Sequence, residues 1–174
     1  MNSTNSTNPT AQNQPIDLTA QVSVLAQARL NRVLTGRLAH GADLTEALLT
    51  LCQAEGVQLG WVRLLGAVSR IKLAYYDQLT HRYEARMFDG MYEILNGTGN
   101  LSPKAGAPFL HLHVTLGDVD FNAFGGHVLP GDSCVFACEY QLTVLDSTAD
   151  LNRDEQDADT GLGLWCPYLQ RQHG

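Results

Sequence analysis

The sequence predicts an α+β fold in which a mostly antiparallel β-sheet packs against one main helix. Short β-type runs separated by turn residues fill most of residues 29–146, whereas a single stretch has the periodicity of an amphipathic helix. Hydrophobic residues make up 44% and charged residues 17% of the 174-residue chain, close to the averages of globular domains. We therefore expect one domain over residues 29–146, with a flanking segment on each side.

The N-terminal segment, residues 1–28, is predicted to be disordered or weakly ordered. Its first 15 residues carry no charge, and their only apolar side chains are Met1 and Ala11. Such a stretch buries too little apolar surface to offset the entropy lost on ordering. We expect residues 1–15 to be removable without loss of folding.

A strand is predicted over residues 29–38, and the main helix follows it. Asp43 and Glu46 have the capping-box spacing, in which the first side chain accepts hydrogen bonds from first-turn amides. Gly56 suits the position just after the helix. The residues between them form one apolar stripe at helical spacing: Leu44, Ala47, Leu48, Leu51 and Cys52.

The rest of the domain is predicted to be a series of short strands. Glycine, aspartate and proline mark the turns between them, because these residues adopt the backbone angles that turns require. The predicted strands are residues 58–66, 68–76, 81–88, 91–95, 109–116 and 133–145, and the turn signals are Gly66, Asp77, Asp89-Gly90, Gly117-Asp118 and Pro130-Gly131.

The C-terminal segment, residues 147–174, is predicted to be an acidic tail. Together with Asp146, the last residue of the domain, it holds six carboxylates up to position 159 against one basic residue, Arg153, a composition typical of a solvated surface. Trp165 and Tyr168 are the aromatic residues through which this tail would dock onto the domain.

Three histidines are the sharpest chemical signal. His111 and His113 stand two residues apart in an apolar run, so on a strand they share a face with Cβ atoms about 7 Å apart. His127 follows 14 residues after His113. Three neutral imidazoles with a fourth position left open are typical of catalytic zinc sites. We expect one divalent metal, zinc, although histidines on a strand face are often satisfied by carbonyls or water.

Three further residues are candidates at this site. Glu93 interrupts an apolar run and could be an additional ligand or a general base for metal-bound water, or an ordinary wet-face carboxylate. Gly125 and Gly126 precede His127 directly and could let the backbone pass close to a bound group, or form a plain turn.

Charge and composition argue against several classes of protein. The net charge of −7, with a pI of about 5.2, is unfavourable for a protein that binds many phosphate groups. Residues 29–86 nevertheless carry a net charge of +3. The absence of a membrane-length apolar run and of a signal-peptide profile leads us to expect a cytoplasmic location. The four cysteines show no C-x-x-C pair and are expected to be free thiols.

Four motifs together resemble the plant-and-prokaryote-conserved (PPC) domain, in its prokaryotic form. They cover about residues 29–146 and depart from the family pattern at Met91 and Tyr92, where the family has arginine and phenylalanine. The motifs are the strand-helix opening over residues 32–48, Gly66-Ala-Val-Ser69, Gly90-Met-Tyr-Glu-Ile-Leu95, and His111-Leu-His113 followed by Gly125-Gly-His127.

The resemblance implies an antiparallel sheet with a packed helix, assembled as a homotrimer. The same architecture is shared with acetolactate decarboxylase, which holds zinc through a similar His-x-His and a later histidine. The resemblance also implies an association with DNA, since bacterial members are often named for it and plant members carry AT-hooks. This chain lacks the Arg-Gly-Arg-Pro core of an AT-hook.

Three functions therefore remain open at this point. The first is a trimeric PPC-domain protein with a tri-histidine site for a metal or a small-molecule ligand. The second is a DNA-associated assembly module, which the net charge does not favour. The third is a metal-dependent lyase or hydrolase that uses the same three histidines.

Overall fold

The structure, a computed structural model, describes residues 25–148 and 150–167. Within these residues, one helix and eight strands follow one another. They are β1 (Ala28–Leu38), α1 (Leu44–Ala54), β2 (Gly60–Asp77), β3 (Arg82–Lys104), β4 (Ala107–Gly117), β5 (Ala123–Val128), β6 (Cys134–Ser147), β7 (Leu151–Asn152) and β8 (Cys166–Pro167). The predicted mostly antiparallel sheet with one packed helix is confirmed.

The main sheet has the strand order β1-β6-β2-β3-β4-β5, and every pairing in it is antiparallel. β5 also pairs with β2 through Leu73–Val128 and Ala74–His127. Strands β2, β3, β4 and β5 therefore close into a ring, and β5 is held on both of its edges. β1 lies at the opposite end of the sheet, beyond β6.

Helix α1 begins and ends where the sequence predicts. The Asp43 carboxylate accepts hydrogen bonds from the backbone amides of Thr45 and Glu46 at 3.0 and 2.9 Å. Gly56 has a φ of 65°, the left-handed conformation that glycine adopts after a helix. Leu44, Leu48 and Cys52 of the predicted stripe are buried against the sheet. The capping and periodicity signals of this helix are confirmed.

Two predicted turns are wrong, because the strands on either side of them are continuous. Gly66 lies within β2 and Asp89-Gly90 within β3. The β2–β3 register shifts close to both glycines, between Leu64 and Gly66 and between Val68 and Arg70. Glycine is favoured both in turns and in β-bulges, since both need unusual backbone angles or close backbone approach. A glycine in the sequence therefore does not distinguish the two.

The predicted turns at Asp77, Gly117-Asp118 and Pro130-Gly131 do separate strands. Strand β5 was not predicted, because its sequence, Ala-Phe-Gly-Gly-His-Val, is short and rich in glycine. The predicted strand 91–95 is the middle of β3, which continues to Lys104.

The hydrophobic core lies between helix α1 and the sheet. Alternate residues of β4 point into this core, namely Leu110, Leu112, Val114 and Leu116, and helix α1 packs against this strand. The residues that alternate with them, including His111 and His113, lie on the opposite face. The histidines are therefore separated from the core by the thickness of the strand.

The segment after β6 packs on the sheet while most of its acidic side chains face solvent. Leu151, Asn152 and Arg153 are buried, and the Trp165 indole N–H donates to the Ser102 hydroxyl at 2.9 Å. The Trp165 ring also packs edge-on against Trp61, with ring centroids 5.6 Å apart. Tyr168 and residues 1–24, on which other predictions rested, lie outside the described residues. Across the described part of the chain, no helix has the length and apolar character of a bilayer-spanning segment.

Candidate metal centre

The histidine cluster is built from two neighbouring strands. His111 and His113 occupy alternate positions of β4, so both imidazoles emerge on the face opposite the core. His113 is directly opposite His127 on β5, and β5 is fixed in turn by its pairing with β2. Local strand geometry thus places two histidines together, and one antiparallel pair adds the third.

The three imidazoles converge closely. The Nε2 atoms of His111 and His113 are 3.1 Å apart, and ligand nitrogens of all three side chains lie within 4.8 Å of one another. Two ligands at about 2.05 Å from a tetrahedral ion are separated by ~3.3 Å. The spacing of the cluster is therefore close to that of a metal-binding set and needs only small side-chain rotations to reach it.

The electrostatic surroundings keep the imidazoles neutral. Burial, followed by the charges of His113 and Arg153, lowers the pKa of His111 to about 4. Burial, followed by the charges of the other two histidines, lowers the pKa of His127 to about 4. Burial also lowers the pKa of His113. A neutral imidazole offers a free lone pair, which is the form that binds a metal.

One nitrogen of the cluster has no hydrogen-bond partner. Nδ1 of His127 is buried and unpaired within the described residues. A buried polar atom without a partner destabilises the fold by about 1–3 kcal/mol. Coordination of an ion through this nitrogen would supply the missing partner and remove this cost. The unpaired nitrogen and the neutral charge state show that these residues fit a divalent metal.

Glu93 is not brought to the histidines within the chain. It is exposed on β3 opposite Gly117, four residues along β4 from His113, which corresponds to roughly 13 Å at ~3.3 Å per residue. The structure shows no contact that gives it a role as ligand or base. The run around it is apolar in sequence, but Met91 and Leu95 are exposed as well.

Gly125 and Gly126 lie in strand β5 and form no turn. A Cβ atom on Gly125 would lie 2.2 Å from the carbonyl oxygen of Val114, and one on Gly126 would lie 2.9 Å from that of Ala74. Both glycines are therefore needed where β5 passes close to the backbones of its two neighbouring strands. This close approach places His127 opposite His113.

A cavity of about 460 Å³ adjoins the cluster. Its walls include His111 and His127 together with aromatic, apolar and cationic side chains from β3, β4 and the C-terminal segment. Arg153 and Tyr83 line this cavity and were not predicted as site residues. No sequence signal identifies them, because Arg153 stands among acidic residues and Tyr83 in an ordinary strand pattern.

The described residues contain no second cluster of this kind. Of the residues described, only His111, His113 and His127 form a group of three or more metal-ligating side chains. The four cysteines are free, as predicted, and none joins the group. Burial raises the pKa of Cys52 and of Cys138 to about 11, so both thiols stay protonated and are poor ligands.

Comparison with known structures supports the fold. A metal-containing protein from Archaeoglobus fulgidus is 31% identical, with a TM-score of 0.76, over 82% of this chain and 99% of the other. A putative DNA-binding protein from Bacteroides thetaiotaomicron is 25% identical, with a TM-score of 0.69, over 82% of this chain and 97% of the other. The likeness to α-acetolactate decarboxylase from Bacillus subtilis is weak, with a TM-score of 0.44 at 16% identity, and supports no conclusion about activity.

Comparison with curated sequences and with family models completes the assignment. The bifunctional protein GlmU of a Synechococcus strain is 31% identical over 127 residues, which is 72% of this chain but only 18% of the length of that relative. The match lies within a much longer protein. The family model of the Plants and Prokaryotes Conserved (PCC) domain matches residues 25–146, the region that contains all three histidines. The chain therefore belongs to the Plants and Prokaryotes Conserved (PCC) domain family.

Proposed function

We propose that this protein is a homotrimeric PCC-domain protein that binds one zinc ion per chain through His111, His113 and His127 and presents it to a small-molecule ligand. The observation that carries the proposal is the convergence of three neutral imidazoles within 4.8 Å, two of which, His111 and His127, line a cavity. The similarity to a metal-containing protein supports the same conclusion.

Zinc is the metal that suits this set of donors best. The cluster offers three nitrogens and no thiolate or carboxylate, and borderline metals such as zinc accept such a set with an open fourth position. Calcium and magnesium prefer six or more oxygen ligands, which the described residues do not gather here. The ion would contribute a Lewis acid. The protein contributes the neutral ligands, the rigid strands that hold them and the cavity that admits a ligand.

A second candidate function is a metal-dependent lyase or hydrolase. It shares the three histidines and the cavity and differs only in whether a bound ligand reacts. The exposed position of Glu93, roughly four residues along the sheet from the cluster, leaves this alternative without a carboxylate general base in a single chain. We therefore rank ligand binding above catalysis.

A third candidate is a DNA-associated module, which the similarity to a putative DNA-binding protein favours. The net charge of −7 per chain opposes it, because a trimer would carry three times that charge. DNA binding is ranked last for this reason.

Metal content tests the proposal directly. Elemental analysis of the natively purified protein should find about one zinc per chain. His111→Ala and His113→Ala should lower the occupancy strongly, because two imidazoles bind zinc far more weakly than three. The matched control is His40→Ala, since His40 lies elsewhere and contacts the carbonyl oxygen of Phe136 at 2.9 Å. Equal metal occupancy in the wild type and all three variants would reject the metal site.

A further inference from the structure

Arg153 is a buried cation at the wall of the histidine cavity. Its side chain is only 5% exposed, and its backbone amide is tied to the carbonyl oxygen of Pro103 at 3.0 Å. The guanidinium donates to the side-chain oxygen of Asn100, and Asn100 is directly opposite His111 in the β3–β4 pairing. A single residue, Asn100, therefore lies between Arg153 and His111, one of the three proposed metal ligands.

All of the hydrogen-bond partners of this guanidinium are neutral. Nε donates to the Ser102 hydroxyl at 3.1 Å, Nη1 to the carbonyl oxygen of Gly163 at 2.7 Å, and Nη2 to Asn100. Within the described residues, Arg153 forms no ion pair. Three of its five N–H groups are satisfied, which leaves two for another acceptor. The guanidinium also lies over the rings of Phe109 and Trp165, 5.9 and 5.8 Å from their centroids, but these contacts supply no negative charge. A buried cation without a counterion is destabilising, and a bound anion would offset this cost.

The cavity as a whole is cationic, although the chain is acidic. Lys104 lines it together with Arg153, and its ammonium lies over the Phe109 ring, 5.0 Å from the centroid. No aspartate or glutamate of the described residues lines the cavity, whereas the chain has 18 acidic residues against 11 basic ones. Two cationic side chains without an acidic neighbour in the wall are the pattern expected where an anion binds.

From these contacts we infer that the cavity binds a small carboxylate whose anionic group is held by the two free N–H groups of Arg153. The inference rests on the proposed metal site, because the same ligand would lie beside the zinc ion. It also goes beyond the family assignment, since Arg153 follows the matched region that ends at residue 146. The C-terminal segment therefore determines the class of ligand.

A carboxylate fits the cavity better than a phosphate does. Two N–H groups of one planar guanidinium can bind two oxygens of a carboxylate or of a phosphate, so the rest of the cavity decides between them. Phosphates are usually held by several backbone amides or a helix N-terminus, and α1 does not line the cavity. Much of the remaining wall is apolar or aromatic, which favours a ligand with a hydrocarbon body: Tyr76, Tyr83, Phe109, Leu129, Leu162 and Leu164.

Calorimetric titration of the zinc-supplemented full chain with butyrate and with benzoate tests this inference. Butyramide and benzamide serve as uncharged analogues, and inorganic phosphate as the competing anion. We expect the carboxylates to bind and the amides and phosphate to bind at least tenfold more weakly. Arg153→Gln should weaken carboxylate binding about tenfold or more, because a hydrogen bond between charged groups is lost.

Matched variants separate recognition from folding. Lys104→Gln changes an exposed side chain of the same cavity and should weaken binding a few-fold without affecting the fold. Arg32→Gln removes an arginine that pairs with Glu55 on another surface and should change nothing. If Arg153→Gln unfolds the chain, a carboxylate affinity unchanged in Lys104→Gln would overturn the inference, and a few-fold loss would support it.

Zinc content measured on the same samples distinguishes this inference from the proposed function. Loss of carboxylate binding with full zinc occupancy in Arg153→Gln supports both. A wild-type protein that holds zinc but binds neither carboxylate, or binds the amides equally well, overturns the inference and leaves the metal site standing. A protein that takes up no zinc refutes the metal site, and the carboxylate titration of that same protein then decides the role of Arg153.

Discussion

Asp43 and Ser133 join the start of helix α1 to the start of strand β6. One carboxylate oxygen of Asp43 accepts hydrogen bonds from the Ser133 amide at 2.8 Å and from the Ser133 hydroxyl at 2.7 Å. The other oxygen caps the helix, and the Ser133 hydroxyl also accepts from the Leu44 amide at 2.8 Å. A single side chain therefore stabilises both the helix and its attachment to the sheet.

Removal of this carboxylate should destabilise the fold. Asp43→Ala is expected to lower the free energy of unfolding by about 1–3 kcal/mol, because the helix cap is lost and the amide of Ser133 is left without its acceptor. Urea unfolding followed by circular dichroism measures the change. Asp89→Ala, on an exposed strand position, is the control. An equal effect of the two variants would show that Asp43 has no special role.

The stability contributed by Asp43 should depend on pH. Burial acts to raise the pKa of Asp43, but hydrogen bonds from Glu46 and Ser133 outweigh it and hold the pKa below its ordinary value of 3.8. The ionised form therefore stabilises the folded state above about pH 4, and this contribution is lost as the pH falls through the folded-state pKa. The difference in unfolding free energy between wild type and Asp43→Asn should shrink over that range, and a constant difference would contradict this assignment.

Gly125→Ala should disturb the metal centre without touching a histidine. The added Cβ would meet the carbonyl oxygen of Val114 at 2.2 Å, so β5 would have to move away from β4 and carry His127 with it. We expect about tenfold or weaker zinc affinity in a competition titration with a chelator, together with a lower melting temperature. In Gly117→Ala, the new atom meets only side-chain atoms of Leu95 at 3.3 Å or more, and zinc affinity should be retained.

The elements that follow from local rules could be predicted from the sequence. Helix α1 needs only its cap, its stripe and Gly56, which all lie within 14 residues of one another. That His111 and His113 lie on the same face of β4 follows from the two-residue period of a strand alone. His127 was predicted from its motif, but its approach to His113 depends on the pairing of β4 with β5, and β5 was not predicted as a strand because it is short and rich in glycine.

The features that could not be predicted arise where distant segments meet. Gly66 signals a turn in the sequence, yet a Cβ there would lie 2.1 Å from the carbonyl oxygen of Ala137, so its role comes from a neighbouring strand 71 positions away. Arg153 belongs to a stretch of acidic composition, and only the packing of that stretch on β3 shows the guanidinium to be buried. Glu93 became a candidate because it interrupts an apolar run, and only the register of β3 against β4 shows that it lies opposite Gly117, four residues along β4 from His113.

The predicted homotrimer can be tested through the outer strand of the sheet. β1 pairs with β6 only, and it carries Leu30 and Val33, which are 63% and 44% exposed in the single chain. Such a strand is a surface that an oligomer covers. Light scattering at micromolar concentration should give about three times the chain mass of 19.0 kDa.

A variant with two charges on β1 sharpens this test. Leu30→Asp combined with Val33→Asp should lower the measured mass, whereas Leu79→Asp, in the turn between β2 and β3, should not. A wild-type protein that scatters as a monomer would contradict the trimer.

DNA binding should be weak and independent of sequence. The +3 balance of residues 29–86 is outweighed by the acidic remainder of the chain, so the affinity should be no tighter than the 10⁻⁴–10⁻⁶ M typical of non-specific binding. Fluorescence anisotropy with random and AT-rich duplexes at about 150 mM salt measures it. A nanomolar dissociation constant for either duplex would promote the DNA-associated module to first place.

The closed ring of strands has a consequence for how the chain reaches its folded state. β4 and β5 form a hairpin that places His127 opposite His113, but the ring closes only when β5 also pairs with β2, through Leu73–Val128 and Ala74–His127. This closing step joins segments that are far apart in the sequence, and pairings between distant segments form slowly. An ion bound by all three imidazoles would link β5 to β4 in the closed ring. It would therefore slow the dissociation of β5 from the sheet and lengthen the lifetime of the native state.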